Sequence, residues 1–165
     1  MSGRAAAALA VVALLALCAP ALRAQNTTLT VSGLPTTFPI PDGSHFGAVP
    51  GHIDDPTYTN YTVQANNWPA GQTHTETISI LCSGACPASG TKPLATLQYK
   101  LASDANWHTL TTALVVVESF TLTSTAAQRS PSHSSTIQWR FLLNWTTDTP
   151  GVTGRFNVRL RLTQS

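Results

Sequence analysis

The stretch Thr136–Trp145, TIQWRFLLNW, places Ile137, Trp139, Phe141, Leu143 and Trp145 at every second position, with Gln138, Arg140 and Asn144 between them. Because side chains of an extended chain alternate between two faces, this pattern specifies a strand with one buried face and one wet one. RFNVRLRLT, residues 155–163, repeats it: Phe156, Val158, Leu160 and Leu162 fall on one side, Arg155, Asn157, Arg159 and Arg161 on the other. The intervening TTDTPGVTG, residues 146–154, is turn-forming in composition, so the two runs are expected to form an antiparallel hairpin.

Working outward, shorter runs of the same kind follow one another along the chain. They are TLTVS from Thr28, YTNYTVQA from Tyr58, TETISILC from Thr75, LATLQYKL from Leu94, LVVVESFTLT from Leu114 and a brief WHTL from Trp107. Turn chemistry bounds them, as in Trp68-Pro69-Ala70-Gly71 and Ser103-Asp104-Ala105-Asn106. Threonine, serine, proline and glycine are abundant, and only 10% of the chain is charged, a composition that suits strands and turns over helices. The expected fold is all-β: a single-domain, two-sheet antiparallel β-sandwich of seven or eight strands, with a barrel as the alternative closure. Two stretches interrupt the pattern. Gly33–Pro56 is a long loop rich in proline and glycine, and Ser124–Ser135 reads as a polar connection.

The chain opens MSGRAAAALAVVALLALCAPALRA, in which Arg4 precedes an apolar run from Ala5 to Leu17 and small residues follow. This is the pattern of a secretory signal peptide, residues 1–24, with cleavage expected after Ala24 and the β-domain spanning 25–165. The run falls short of the roughly 20 apolar residues that a membrane span needs, so no membrane span is expected. Cys18 raises lipid anchoring as a rival, but Leu17 stands where a small residue belongs. Removing the leader takes Arg4 and Arg23 away, so nine basic residues become seven against seven acidic ones. A mature chain without net charge has no general pull on nucleic acid, which is excluded as a partner.

With Cys18 lost, the thiols are Cys82 and Cys86 in LCSGACP, residues 81–87. An exported pair is expected to end as a disulfide, here a small ring pinning one loop. CSGACP also resembles the CxxxCP motif of copper chaperones built on a thioredoxin fold, which implies a copper or redox site. In that family the cysteines lead into a helix, whereas PASGTKP follows Cys86 here and its prolines prevent one.

Other chemistry is sparse. Asp42, His45, His52, Asp54 and Asp55 share one loop, but no pair of histidines has ligand spacing, so turn-forming aspartates and solvated histidines are expected and no metal or cofactor is assigned. Glu118 shares the parity of Leu114, Val116, Phe120 and Leu122; either it is buried or the strand bulges there. No GxSxG, GxGxxG or phosphate loop occurs, and the chain is expected not to be an enzyme. Trp68 and Trp107 border turns beside amide side chains, the composition of a carbohydrate platform, and are the candidate ligand-binding residues. Asn26, Asn60 and Asn144 head NxT sequons open to glycosylation in a host that modifies exported chains.

A leader followed by a threonine-rich all-β chain ending in an alternating strand resembles the secreted fimbrial-subunit and coat-protein domains of bacteria. The resemblance implies a structural or binding role at the cell surface, with other surface proteins or a second copy as partner through strand addition. TTLTVSG, residues 27–33, is then the candidate donor strand.

Overall fold

The computed structural model describes residues 26–34, 38, 42, 44–45, 51–82, 94–144, 148 and 156–165. The leader, Cys86 and Trp145 lie outside the described residues. Among the described residues nine strands form: β1 (Asn26–Ser32), β2 (His52–Asp54), β3 (Thr59–Asn66), β4 (Thr73–Cys82), β5 (Leu97–Leu101), β6 (His108–Thr109), β7 (Val115–Thr123), β8 (Ser132–Leu142) and β9 (Val158–Gln164). They make two antiparallel sheets packed as a β-sandwich. The larger runs β1-β3-β8-β5-β6 with β2 also on β8, and the smaller runs β7-β4-β9.

Residues 136–142 of the TIQWRFLLNW run belong to β8, at the centre of the larger sheet. On one edge β8 pairs with β3 along Ser132–Ile137 and with β2 along Arg140–Leu142; on the other it pairs with β5 along Ile137–Phe141. Its alternate residues Ile137, Trp139, Phe141 and Leu143 are buried as expected. The expected β8–β9 hairpin is not formed: β9 pairs with β4 in the opposite sheet. Both edges of β8 are already occupied, and β9 takes its place in the other sheet. Alternation names the buried face of a strand but not its neighbour.

Two further boundaries differ from the sequence reading. β2 lies inside the long loop, and Phe38 from the same loop is buried between the sheets against Phe141 and Phe156, with ring centroids 5.7 and 6.1 Å apart. β8 begins at Ser132, within the stretch read as a connection. The period-two pattern there is written in Ser and Thr beside His133, which carry little apolar contrast.

Turn chemistry fixes the crossovers. Gly71 has φ +81°, and its N–H and that of Gln72 donate to the Ser124 carbonyl and hydroxyl at 2.9 and 3.1 Å, while the Ser124 hydroxyl donates to Pro69 O. Buried Ser124 thus ties the end of β7 to the β3–β4 turn. At Gly33, φ +72°, an added Cβ would stand 2.3 Å from Tyr58 O, so only glycine allows β1 to leave the sheet there.

The β7 parity puzzle is resolved by a β-bulge. Ile78 pairs with Glu118 and Ser79 with Val116, which leaves Val117 as the extra residue. The alternation resets across it. Val116 (57% exposed) and Leu114 (44% exposed) face solvent, while Val117, Glu118, Phe120 and Leu122 turn inward.

Candidate functional site

Where β3 leaves the edge of β8 and β2 takes over, Asp55–Tyr58 swings outward and the sheet is notched. Asp55 N–H holds the start of this segment by donating to Trp139 O at 3.0 Å, and the Asp55 carboxylate accepts from Thr57 N–H at 2.8 Å. Burial raises the Asp55 carboxyl above its ordinary value, with the Thr57 bond opposing. The notch opens into a cleft of about 170 Å³ lined by Asp54, Asp55, Pro56, Tyr58, Trp107, Gln138 and Trp139.

Trp107 enters from the loop before β6. Its ring lies over the Arg140 guanidinium, 4.5 Å from the centroid, and the Lys100 ammonium, 5.2 Å away, so two cations hold the indole against the sheet. Arg140 is fixed in turn: its Nε donates to Gln98 Oε1 at 2.6 Å. Burial lowers the guanidinium's pKa, and the nearby Asp54 carboxylate opposes that shift. Tyr58, 50% exposed, forms the outer aromatic rim. The result is an aromatic-walled cleft with the Asp54 and Asp55 carboxylates and the Gln138 amide around it, able to accept hydroxyl groups and to stack an apolar ring face.

Trp68 sits elsewhere. It is 3% exposed, packed edge-on to His74 at 4.7 Å, with its backbone N–H donating to Arg129 O at 2.9 Å. Its ring is part of the core and offers no open face, so the structure separates the two tryptophans that the sequence grouped. Cys82 closes β4 and is half-buried, while Cys86 lies outside the described residues. The loop acids behave as turn formers: Asp42 accepts from Ser44 N–H at 2.9 Å and pairs with His45 at 2.8 Å, and Asp55 caps Thr57. Asn26, Asn60 and Asn144 are exposed. Among the described residues no group of three or more His, Cys, Asp or Glu side chains is placed to hold a metal ion, and no helix is long and apolar enough to cross a membrane. TTLTVSG is paired in register with β3 of its own domain along Asn26–Ser32.

Two polar clusters lie between the sheets. Glu118 accepts from Tyr61 Oη and pairs with His133 Nε2 at 2.9 Å, and Phe120 stacks on His133 at 3.9 Å. Burial, then the Glu118 carboxylate, pushes the Tyr61 phenol above its ordinary value. Glu76 is fully buried; its Oε1 accepts from Gln164 Nε2 at 2.8 Å and Thr27 Oγ1 at 3.5 Å, and its Oε2 has no partner. Glu76 escaped the sequence reading although its signal was present, since it shares the parity of Ile78 and Ile80 in THTETISILC.

Neither a protein-family model, nor a curated protein, nor a solved structure matches the chain.

Proposed function

We propose that this chain is an exported, non-catalytic β-sandwich that binds carbohydrate at the Trp107 cleft. The observation that carries the reading is the convergence of Trp107 and Tyr58 with Asp54 and Gln138 around one notch in the larger sheet. Sugar rings present apolar C–H faces to indoles and hydroxyls to carboxylates and amides, and here both kinds of group border one cavity. The leader directs the chain outside the cytoplasm, where the Cys82–Cys86 pair closes as a disulfide on the loop after β4.

The test is a glycan array followed by titration of the best binder, read by tryptophan fluorescence and calorimetry. Trp107→Ala lowers affinity by at least about tenfold, the equivalent of one lost contact of roughly 1.4 kcal/mol. A chain that binds no glycan, or whose Trp107→Ala variant binds equally well, ends the proposal.

A second reading, structural assembly at the cell surface, is favoured by β7. It is an edge strand that exposes Val116, with Leu114 exposed just before it, and edges of this kind accept another strand. Val116→Lys would abolish self-association seen by light scattering. A wild-type chain monomeric at high concentration counts against this reading. A copper or redox role for the CxxxCP pair is separated from both by a free-thiol assay and metal content of the purified chain.

A further inference from the structure

The cluster around Glu76 joins the two ends of the domain. Thr27 lies on β1, the edge of the larger sheet, and Gln164 on β9, the edge of the smaller one, 137 positions apart in sequence. Their side chains meet over Glu76: Gln164 Nε2 donates to Glu76 Oε1 at 2.8 Å and to Thr27 Oγ1 at 3.4 Å, and Thr27 Oγ1 donates to the same Oε1 at 3.5 Å. A hydroxyl, a primary amide and a fully buried carboxyl thus stand in one triangle. A second feature sets this triangle apart from an ordinary polar contact. Glu76 Oε2 is buried without a hydrogen-bond partner, a cost that a purely structural residue at this place would avoid by being an apolar side chain.

We propose that Thr27, Glu76 and Gln164 form a self-modifying site that joins Thr27 Oγ1 to Gln164 Cδ as an ester. The step balances as an acyl transfer. Glu76 carboxylate takes the Thr27 hydroxyl proton, Oγ1 attacks Gln164 Cδ, and the carbonyl becomes tetrahedral. Glu76 then returns the proton to Nε2, the Cδ–N bond breaks, and ammonia leaves. One C–O bond replaces one C–N bond, nothing is oxidised or reduced, and Glu76 ends as it began.

Three features of the site suit this chemistry. The base lies at the buried end and the amide at the exposed rim, so ammonia has a route to solvent. Burial raises the Glu76 carboxyl above its ordinary value, against its bonds to Gln164 and Thr27 and the nearby His74 imidazole, and so makes it a better base than a solvated glutamate. The fold holds Thr27 Oγ1 within 3.4 Å of the Gln164 carboxamide nitrogen, which supplies the effective concentration that a free threonine and glutamine lack. The product would lock the first and last described strands, both sheet edges and therefore the strands most ready to peel, across the two layers of the sandwich. The inference stands independently of glycan binding at Trp107.

The experiment is mass spectrometry of the full chain exported from its host, incubated at neutral pH and digested with trypsin. Cyclisation of an N-terminal Gln25 also releases ammonia, so intact mass alone does not decide. The readout is the peptide beginning at Leu162 attached to the peptide carrying Thr27, lighter than their sum by one ammonia and cleaved by hydroxylamine. Thr27→Ser retains the cross-link, Thr27→Ala abolishes it, and Glu76→Gln slows its formation by roughly 10²–10⁴-fold, the usual worth of a general acid–base. Circular dichroism checks that each variant folds; should Glu76→Gln fail, the two Thr27 variants decide. Linear peptides carrying unmodified Thr27 and Gln164 from folded wild-type chain overturn the proposal.

Discussion

Replacing Thr59 by valine changes one buried hydroxyl into a methyl at nearly constant shape, and the structure fixes what that costs. Thr59 is 0% exposed, its Oγ1 accepts from Trp139 Nε1–H at 2.8 Å and donates to Gly33 O at 2.7 Å. This relay ties the central strand β8 through β3 to the end of β1. Valine strands the indole N–H in the core, at about 1–3 kcal/mol, and breaks a second bond worth about 0.5–1.5 kcal/mol. Added apolar burial of about 0.8 kcal/mol offsets part of this. The net expectation is a loss of about 1–3 kcal/mol in urea unfolding followed by far-ultraviolet circular dichroism, with the m-value unchanged. Trp139→Phe removes the same donor along with part of the ring. In the double variant the orphan disappears, so the two costs add to less than their sum, by about 1 kcal/mol or more. A Thr59→Val loss below about 0.5 kcal/mol, or strict additivity in the cycle, would show that the relay is not formed and that Trp139 packs otherwise.

Other outcomes follow from the same geometry. Val116→Lys, on the exposed side of the bulge, shifts stability by no more than about 0.5 kcal/mol, whereas Leu122→Ala, buried on the inward face, loses about 2–5 kcal/mol; equal losses would remove the bulge. Asp55 titrates higher in the fold than its ordinary value of 3.8, because burial disfavours its charge. A raised folded value means its contribution is fully present below the ordinary value and is lost as pH rises through the folded one. Asp55→Asn, which keeps the acceptor for Thr57 N–H, should therefore gain stability relative to wild type as pH rises above the ordinary value of 3.8, and a difference independent of pH refutes the assignment. Gly33→Ala, strained at φ +72° and pressed against Tyr58 O, lowers the thermal midpoint by several degrees, about 4–8 °C per kcal/mol in a small domain.

Much of the candidate site was half legible. Trp107 and Trp68 carry the same local signature, an indole beside turn residues and amides, yet one lines a cleft under two cations and the other is core. What separates them is the placement of Arg140 and Lys100, which come from other strands. Glu118 declared itself by standing in an apolar register, but whether it was buried depended on one extra residue, Val117, whose insertion pairing with β4 alone reveals. Glu76 and Gln164 gave no hint of each other across 88 positions, since no local pattern encodes that β4 and β9 pair.

The sequence by itself determined that this chain is built of strands and, outside the bulged β7, which face of the strands read by alternation is buried, because the two-residue period of an extended backbone is written directly in the residue order. It determined the turns as well, through Gly71, Gly33 and the capping aspartates. Only the tertiary structure decided which strands are neighbours. β8 and β9 carry matching alternation and a turn-forming sequence between them, and still they lie in opposite sheets, because pairing is settled by which edges remain open when the whole sandwich closes. The notch beside β8 and the Thr27–Glu76–Gln164 triangle are products of that closure, for both draw their side chains from strands that only the packed fold brings together.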